Sequence, residues 1–160
     1  MSHFNDAKSA ILNSKDDELL EIIKNHPEVL KEKDDQFNTE LLFFAAGLFE
    51  PGYADYFLNQ GQDPNLESSF GMTPFTKFLT SGRRGGIVPS WERDYIPTLK
   101  NFIDKGAIVT RDLIDEFKEK AEFGYLSGQF DEVLVILEKT LKQQENTTQH
   151  NPKRINKPRL

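Results

Sequence analysis

The chain has 160 residues, with 20 Lys and Arg against 26 Asp and Glu, a formal charge of −6 and no cysteine. Disulfides, thiol catalysis and Cys-ligated metal are thereby excluded, and the acidic balance works against nonspecific attachment to nucleic acid or anionic lipid. No apolar run nears the roughly 18 residues of a membrane span. Met1 to Asp6 lacks the basic-then-apolar layout of a signal peptide, so a soluble, cytoplasmic protein without membrane association is expected.

Two short helices open the chain, over about Asp6 to Ser14 and Asp16 to Asn25. The second carries an apolar stripe of Leu19, Leu20, Ile22 and Ile23. His26-Pro27 ends it, because the residue before proline avoids the helical region. Glu28 to Asp35 reads as a polar loop or hairpin. Thr39 to Leu48, rich in Leu and Phe around Ala45-Ala46, reads as a short buried helix. Pro51-Gly52 breaks it, Tyr53 to Gln60 forms its antiparallel partner, and Gly61 suits a left-handed cap.

A third unit begins at Ser68. Pro74 fits a first helical turn with Thr73 as its cap, and that helix should end near Gly82. An insertion follows near residues 83–96. The next helix runs from about Pro97 to Asp104 and is closed by Lys105-Gly106. Arg111 to Tyr125 and Phe130 to Gln143 repeat apolar residues at helical spacing. Residues 1–144 therefore read as one folded domain, and 145–160 as a disordered basic tail with too few apolar residues to fold. Residues 146–160 carry Lys153, Arg154, Lys157 and Arg159 with no acid, a local +4 that leaves −10 on residues 1–145.

Asn38 and Gly71 lie 33 residues apart in similar surroundings. A fixed period of this size marks a stacked repeat, in which one unit cannot bury its apolar face alone. With Asp35, Leu42, Ala45-Ala46, Phe57-Leu58, Gly61, Asp63 and Asn65 in one unit, and Ser68, Gly71, Thr73-Pro74-Phe75 and Gly82 in the next, the chain resembles the ankyrin-repeat family. Phe102-Ile103 and Lys105-Gly106-Ala107 match after 12 extra residues, since Gly106 follows Gly61 by 45 rather than 33. The resemblance implies an all-α, ankyrin-like solenoid of about four antiparallel helix pairs with short β-hairpin tips. Glu40-Leu41 replaces the Thr-Pro of that pattern, which removes the hydrogen bonds a Thr would supply there.

No catalytic constellation emerges. His3, His26 and His150 show no metal spacing, and His26 reads as a helix cap. Asp16-Asp17-Glu18 suits a helix start, and Asp63 to Glu67 lacks the spacing and Gly of a calcium loop. No cofactor and no metal are expected. The resemblance implies a partner-binding face of tips and exposed first-helix sides: Gln36, Phe37, Thr39, Gly47 and Leu48 in one unit, then Ser69, Phe70, Met72, Thr80 and Ser81. Phe37, Phe70 and Met72 stand out, because tips in water do not need large apolar groups. Packing between neighbouring hairpins would explain Phe37 and Phe70 as well. In the insertion, Arg83, Arg84, Trp91 and Arg93 are residue types that dominate interface energetics, and Trp91 would equally serve as a core plug.

A non-enzymatic protein-binding module is thus expected, in one version an inhibitor or immunity-type protein for a partner with a basic surface. Two alternatives stand beside it. Gly82-Arg83-Arg84-Gly85-Gly86 could hold a phosphate ligand or substrate, though the Lys-Ser/Thr ending of a phosphate loop is missing. The basic tail could contact nucleic acid, though four charges beside an acidic body make a thin footprint.

Overall fold

The computed structural model describes residues 2–48, 50–82 and 94–150, leaving aside the side chains of 123 and 148–150. Eight α-helices fall among the described residues: α1 His3–Leu12, α2 Asp16–Asn25, α3 Leu41–Ala46, α4 Gly52–Asn59, α5 Pro74–Thr80, α6 Ile96–Asp104, α7 Arg111–Lys120 and α8 Phe130–His150. Short 3-10 turns occupy Pro27–Lys31, Ala121–Phe123 and Ser127–Gln129. The fold is all-α.

Local chemistry sets most boundaries. Thr73 and Thr110 each turn a hydroxyl back onto the backbone N–H three residues on, at 3.1 Å, and so cap α5 and α7. Ser2 does the same for α1, which begins three residues earlier than Asp6. At the other ends, Gly61 and Gly106 take φ of 91° and 99°, the left-handed conformation that lets a helix stop and the chain turn away. His26 closes α2 and stacks on His3 with ring centroids 3.4 Å apart.

Packing follows two layers. Helices α1, α3, α5 and α7 lie side by side in succession, and α4, α6 and α8 form a second row. Within pairs, α1 packs on α2, α3 on α4 and α7 on α8, while α5 meets α6 through Phe102, whose ring lies 5.3 Å from Phe75 and 4.8 Å from Phe78. Between the rows, Leu41, Leu42, Phe57, Phe75, Leu79, Leu99, Phe102, Ile114 and Phe117 are fully buried. Each such side chain stabilises the fold by about 1.5–3 kcal/mol relative to exposure. Helix α3 packs against α1, α4 and α5, and all six of its residues are buried, as an apolar all-round helix requires.

Side-chain amides tie the pairs together. Leu42 N–H at the uncapped start of α3 donates to Gln62 Oε1 at 2.7 Å, and Gln62 Nε2 donates to Leu30 O at 2.9 Å. Gln62 therefore satisfies one N–H in the first turn of α3, where Glu40 makes no side-chain cap. Asn65 bridges to Gly106 O and Ile108 N–H, and Gln144 bridges Ala107 O and Val109 N–H. In the second row, Asp55 accepts from Thr98 Oγ1 at 2.7 Å and Asn101 Nδ2 at 2.9 Å.

Four sequence expectations need correction. The tips contain no strand among the described residues: each is a turn held by two backbone bonds, too few for a ladder. In the first, Asp34 N–H donates to Thr39 O and Asn38 N–H to Asp34 O; in the second, Ser68 N–H donates to Met72 O and Gly71 N–H to Ser68 O. The polar stretch after Pro27 begins as a 3-10 turn because Val29 is fully buried and anchors it. Finally, α8 runs on to His150 instead of stopping near Gln143, since Gln144 is tied to the preceding loop and the helix propagates beyond that anchor. Likewise α6 starts at Ile96, the last residue of the expected insertion.

Nothing lies within 4 Å of a β-carbon built on Gly61, so a substitution there meets only backbone strain. Gly61→Ala is expected to lower stability by about 1 kcal/mol, and Gly61→Asn by less, in urea unfolding at unchanged m-value.

Candidate interaction surface

The two tips sit side by side, and the 33-residue spacing is visible in their backbone. Asn38 and Gly71 both take positive φ, 55° and 81°. Ser69 Oγ donates to Gln36 O at 3.0 Å and Ser69 N–H to Phe37 O at 2.8 Å. One polar side chain closes each tip. Ser68 Oγ accepts from Phe70 N–H and Met72 N–H, both at 3.2 Å. In the first tip, Asp34 does this work: Oδ2 accepts from Gln36 N–H at 3.0 Å and Phe37 N–H at 2.8 Å. The residue matched from sequence, Asp35, is exposed. The first tip is one residue longer, so the closing bond spans Asp34 to Asn38 where the second spans Ser68 to Gly71.

Asp34 is buried, and its Oδ1 accepts from Lys8 Nζ at 2.7 Å. Burial pushes its carboxyl upward, but the Lys8 hydrogen bond, the Phe37 N–H, the Lys8 charge and the Gln36 N–H together hold it below the usual range.

Phe70 is 74% exposed, the largest exposure of any bulky apolar side chain among the described residues. It meets Phe37 edge to face with centroids 5.6 Å apart. Phe37 is half-buried and packs on Phe43 at 6.0 Å and Phe44 at 5.9 Å. An aromatic path therefore leads from the exposed tip into α3. Met72 is half-buried and Gln36 exposed on the same tips.

Lys77 of α5 lies across this path. Its Nζ stands 4.0 Å from the Phe43 centroid and 5.4 Å from that of Phe44, a cation–π arrangement. The stem crosses Gly47 so closely that a β-carbon there would stand 2.6 Å from Lys77 Cε. Burial pushes the ammonium down to about 8. No carboxylate partners Lys77 among the described residues.

The sequence-derived candidates are only partly gathered. Gln36, Phe37, Phe70 and Met72 share the tip surface. Thr39 does not: it is fully buried, its carbonyl closes the first tip, and its hydroxyl has no partner among the described residues. A partner cannot touch it, because the packed helices cover it. Leu48 lies past the far end of α3, where it lines a cavity of about 500 Å³ with Ser14, Asp16, Gly47, Glu50, Tyr53 and Tyr125. There Tyr53 donates a hydrogen bond to Asp16, and burial followed by that bond and the Asp16 charge raises its phenol. Arg83, Arg84, Trp91 and Arg93 lie outside the described residues, as does the basic tail from 151 onward. Sequence reasoning missed Asp34, Gln62 and Lys77, whose roles depend on which neighbours the stack supplies. Of these, only Asp34 had a local signal, an Asp two and three residues before the backbone it caps.

No family model, curated protein or solved structure matches this chain.

Because the folded state releases the Lys77 proton near pH 8 while the unfolded chain holds it to about 10.5, the unfolded state binds more protons in between. Stability should therefore rise with pH across that window. Lys77→Met, which keeps the length and removes the charge, is expected to gain about 1–3 kcal/mol at pH 7 and to lose that pH-dependent rise, measured as the difference between the two unfolding curves.

Proposed function

We propose that this chain is an ankyrin-like array of four helix pairs that binds another protein through its tip surface and carries no catalytic role of its own. Support for the array comes from the 33-residue recurrence of left-handed backbone at Asn38 and Gly71, and from Phe37 and Phe70, at the same spacing, touching each other. Asn65 and Gln144 add a bond from each loop to the next pair.

The observation that carries the binding reading is Phe70, a large aromatic ring left 74% exposed on a turn that its own backbone bonds and Ser68 already hold in place. Turn formation does not need the ring, and an exposed rigid aromatic on a pre-ordered scaffold is what an interface anchor requires. Phe37 supports it from beneath. The formal charge of −6 favours a partner whose surface is basic, as an inhibitor of a basic protein would need, and acts mainly on the rate of encounter.

Selection of a displayed random-peptide library against the full chain alone, with every enriched clone then measured on Phe70→Ala, tests this reading. Clones are expected to depend on Phe70 and to lose at least about tenfold in affinity on Phe70→Ala, while thermal unfolding of the variant stays near that of the parent chain. Binders indifferent to Phe70 would remove the tip surface as the site. For a full-length partner, association should slow as salt rises; a flat dependence would remove the basic surface from the proposal.

A further inference from the structure

Two lysines flank the same pair of rings in α3, and their electrostatic situations differ. Lys8 Nζ lies 5.1 Å from the Phe44 centroid and is neutralised by buried Asp34 at 2.7 Å. Lys77 Nζ lies 4.0 Å from the Phe43 centroid, and among the described residues it has neither a carboxylate nor a hydrogen-bond acceptor. Among the described residues, the groups that stabilise its charge are ring faces, which offset part of the loss of water but supply no counter-charge. Gly47 leaves the space the lysine stem occupies, and Ser81 brings its hydroxyl 3.3 Å from where a β-carbon on Gly47 would stand. A half-buried cation without an acidic partner gains more from an incoming carboxylate than a fully hydrated surface lysine does, because less water has to be displaced and the local dielectric is lower.

The position of this charge matters as much as its state. From Phe70 the path of ring contacts runs through Phe37 to Phe43 and ends under Lys77. These successive contacts hold Lys77 Nζ within about 16 Å of the Phe70 ring, which a segment of up to about five extended residues, rising roughly 3.3 Å each, can span with an apolar side chain at one end and a carboxylate at the other.

We propose that the tip surface takes a partner segment in which a carboxylate, from Asp, Glu or a chain terminus, pairs with Lys77 while an apolar neighbour packs on Phe70. This rests on the protein-binding reading above and specifies what that partner presents at the contact. It is compatible with a partner that is basic overall: the charge of the whole body acts during approach, whereas Lys77 acts only at contact range.

The test uses the full chain and a matched pair of peptides, acetyl-Leu-Ala-Glu-Leu-amide and its Gln counterpart, followed by two-dimensional NMR at the amides of Gly47, Lys77 and Ser81. The Glu peptide is expected to shift these amides saturably and to bind at least about fivefold tighter than the Gln peptide, the preference of one charge-assisted contact. Lys77→Met should erase that ratio and Lys77→Arg should restore part of it. Equal affinities for the two peptides, no saturable shift with either, or a Glu preference that survives Lys77→Met would each overturn the proposal. The peptide pair leaves the protein unaltered, so the comparison holds even where a variant folds poorly. Phe70-dependent binders from the library that show no need for a carboxylate would sink this inference and leave the protein-binding reading standing; binders indifferent to Phe70 would sink that reading instead.

Discussion

A helix of six residues cannot hold itself together in water, because the cost of its first turn is not recovered over so short a length. Helix α3 exists because every one of its side chains is covered, by α1 and α5 at its sides and α4 behind it. The rest of the molecule meets that constraint. Ala45 and Ala46 let neighbours approach, Phe43 and Phe44 fill the space between first-row helices, and Gln62 satisfies an N–H at the start of the helix that no residue of its own caps. The same logic makes the fold extend pair by pair: a row of short helices is stable only when each has a neighbour to bury it.

The candidate interaction surface grows out of this arrangement. Rings that pack α3 against its neighbours also form the floor on which Phe37 and Phe70 stand, so an exposed aromatic tip is backed by buried core residues. Covering those rings with lysines has opposite consequences at the two sides. Near α1 the charge is balanced by Asp34, and this pair helps hold the first tip closed. Near α5 there is no such acid among the described residues, and the desolvation of Lys77 is the resulting cost. If the proposed partner carboxylate pairs there, stability of the free chain and recognition compete at that residue.

Helix ends were legible because their chemistry is local. Thr73-Pro74, Gly61 and Gly106 act within one turn of themselves, and each does in the structure what its residue type demands. The choice between Asp34 and Asp35 was not legible, because a tip one residue longer shifts the capping role by one position without altering the surrounding pattern. Thr39 was misread for a related reason: a turn residue and a surface residue look alike until the neighbouring helix covers one of them. The continuation of α8 depends on Gln144 reaching two groups more than 30 residues away in the chain, which no local window contains.

By itself, then, the amino-acid sequence determined the helical class, the order of the elements, the left-handed turns and the 33-residue step, because these follow from steric limits on a few neighbouring residues. Tertiary structure alone decided which polar groups are satisfied by which, that Phe70 stays exposed while Thr39 is buried, and that Lys77 lacks an acidic partner among the described residues where Lys8 has one. Those outcomes depend on the distance between helices far apart in the chain, and burial and charge are properties of that arrangement, not of any one residue.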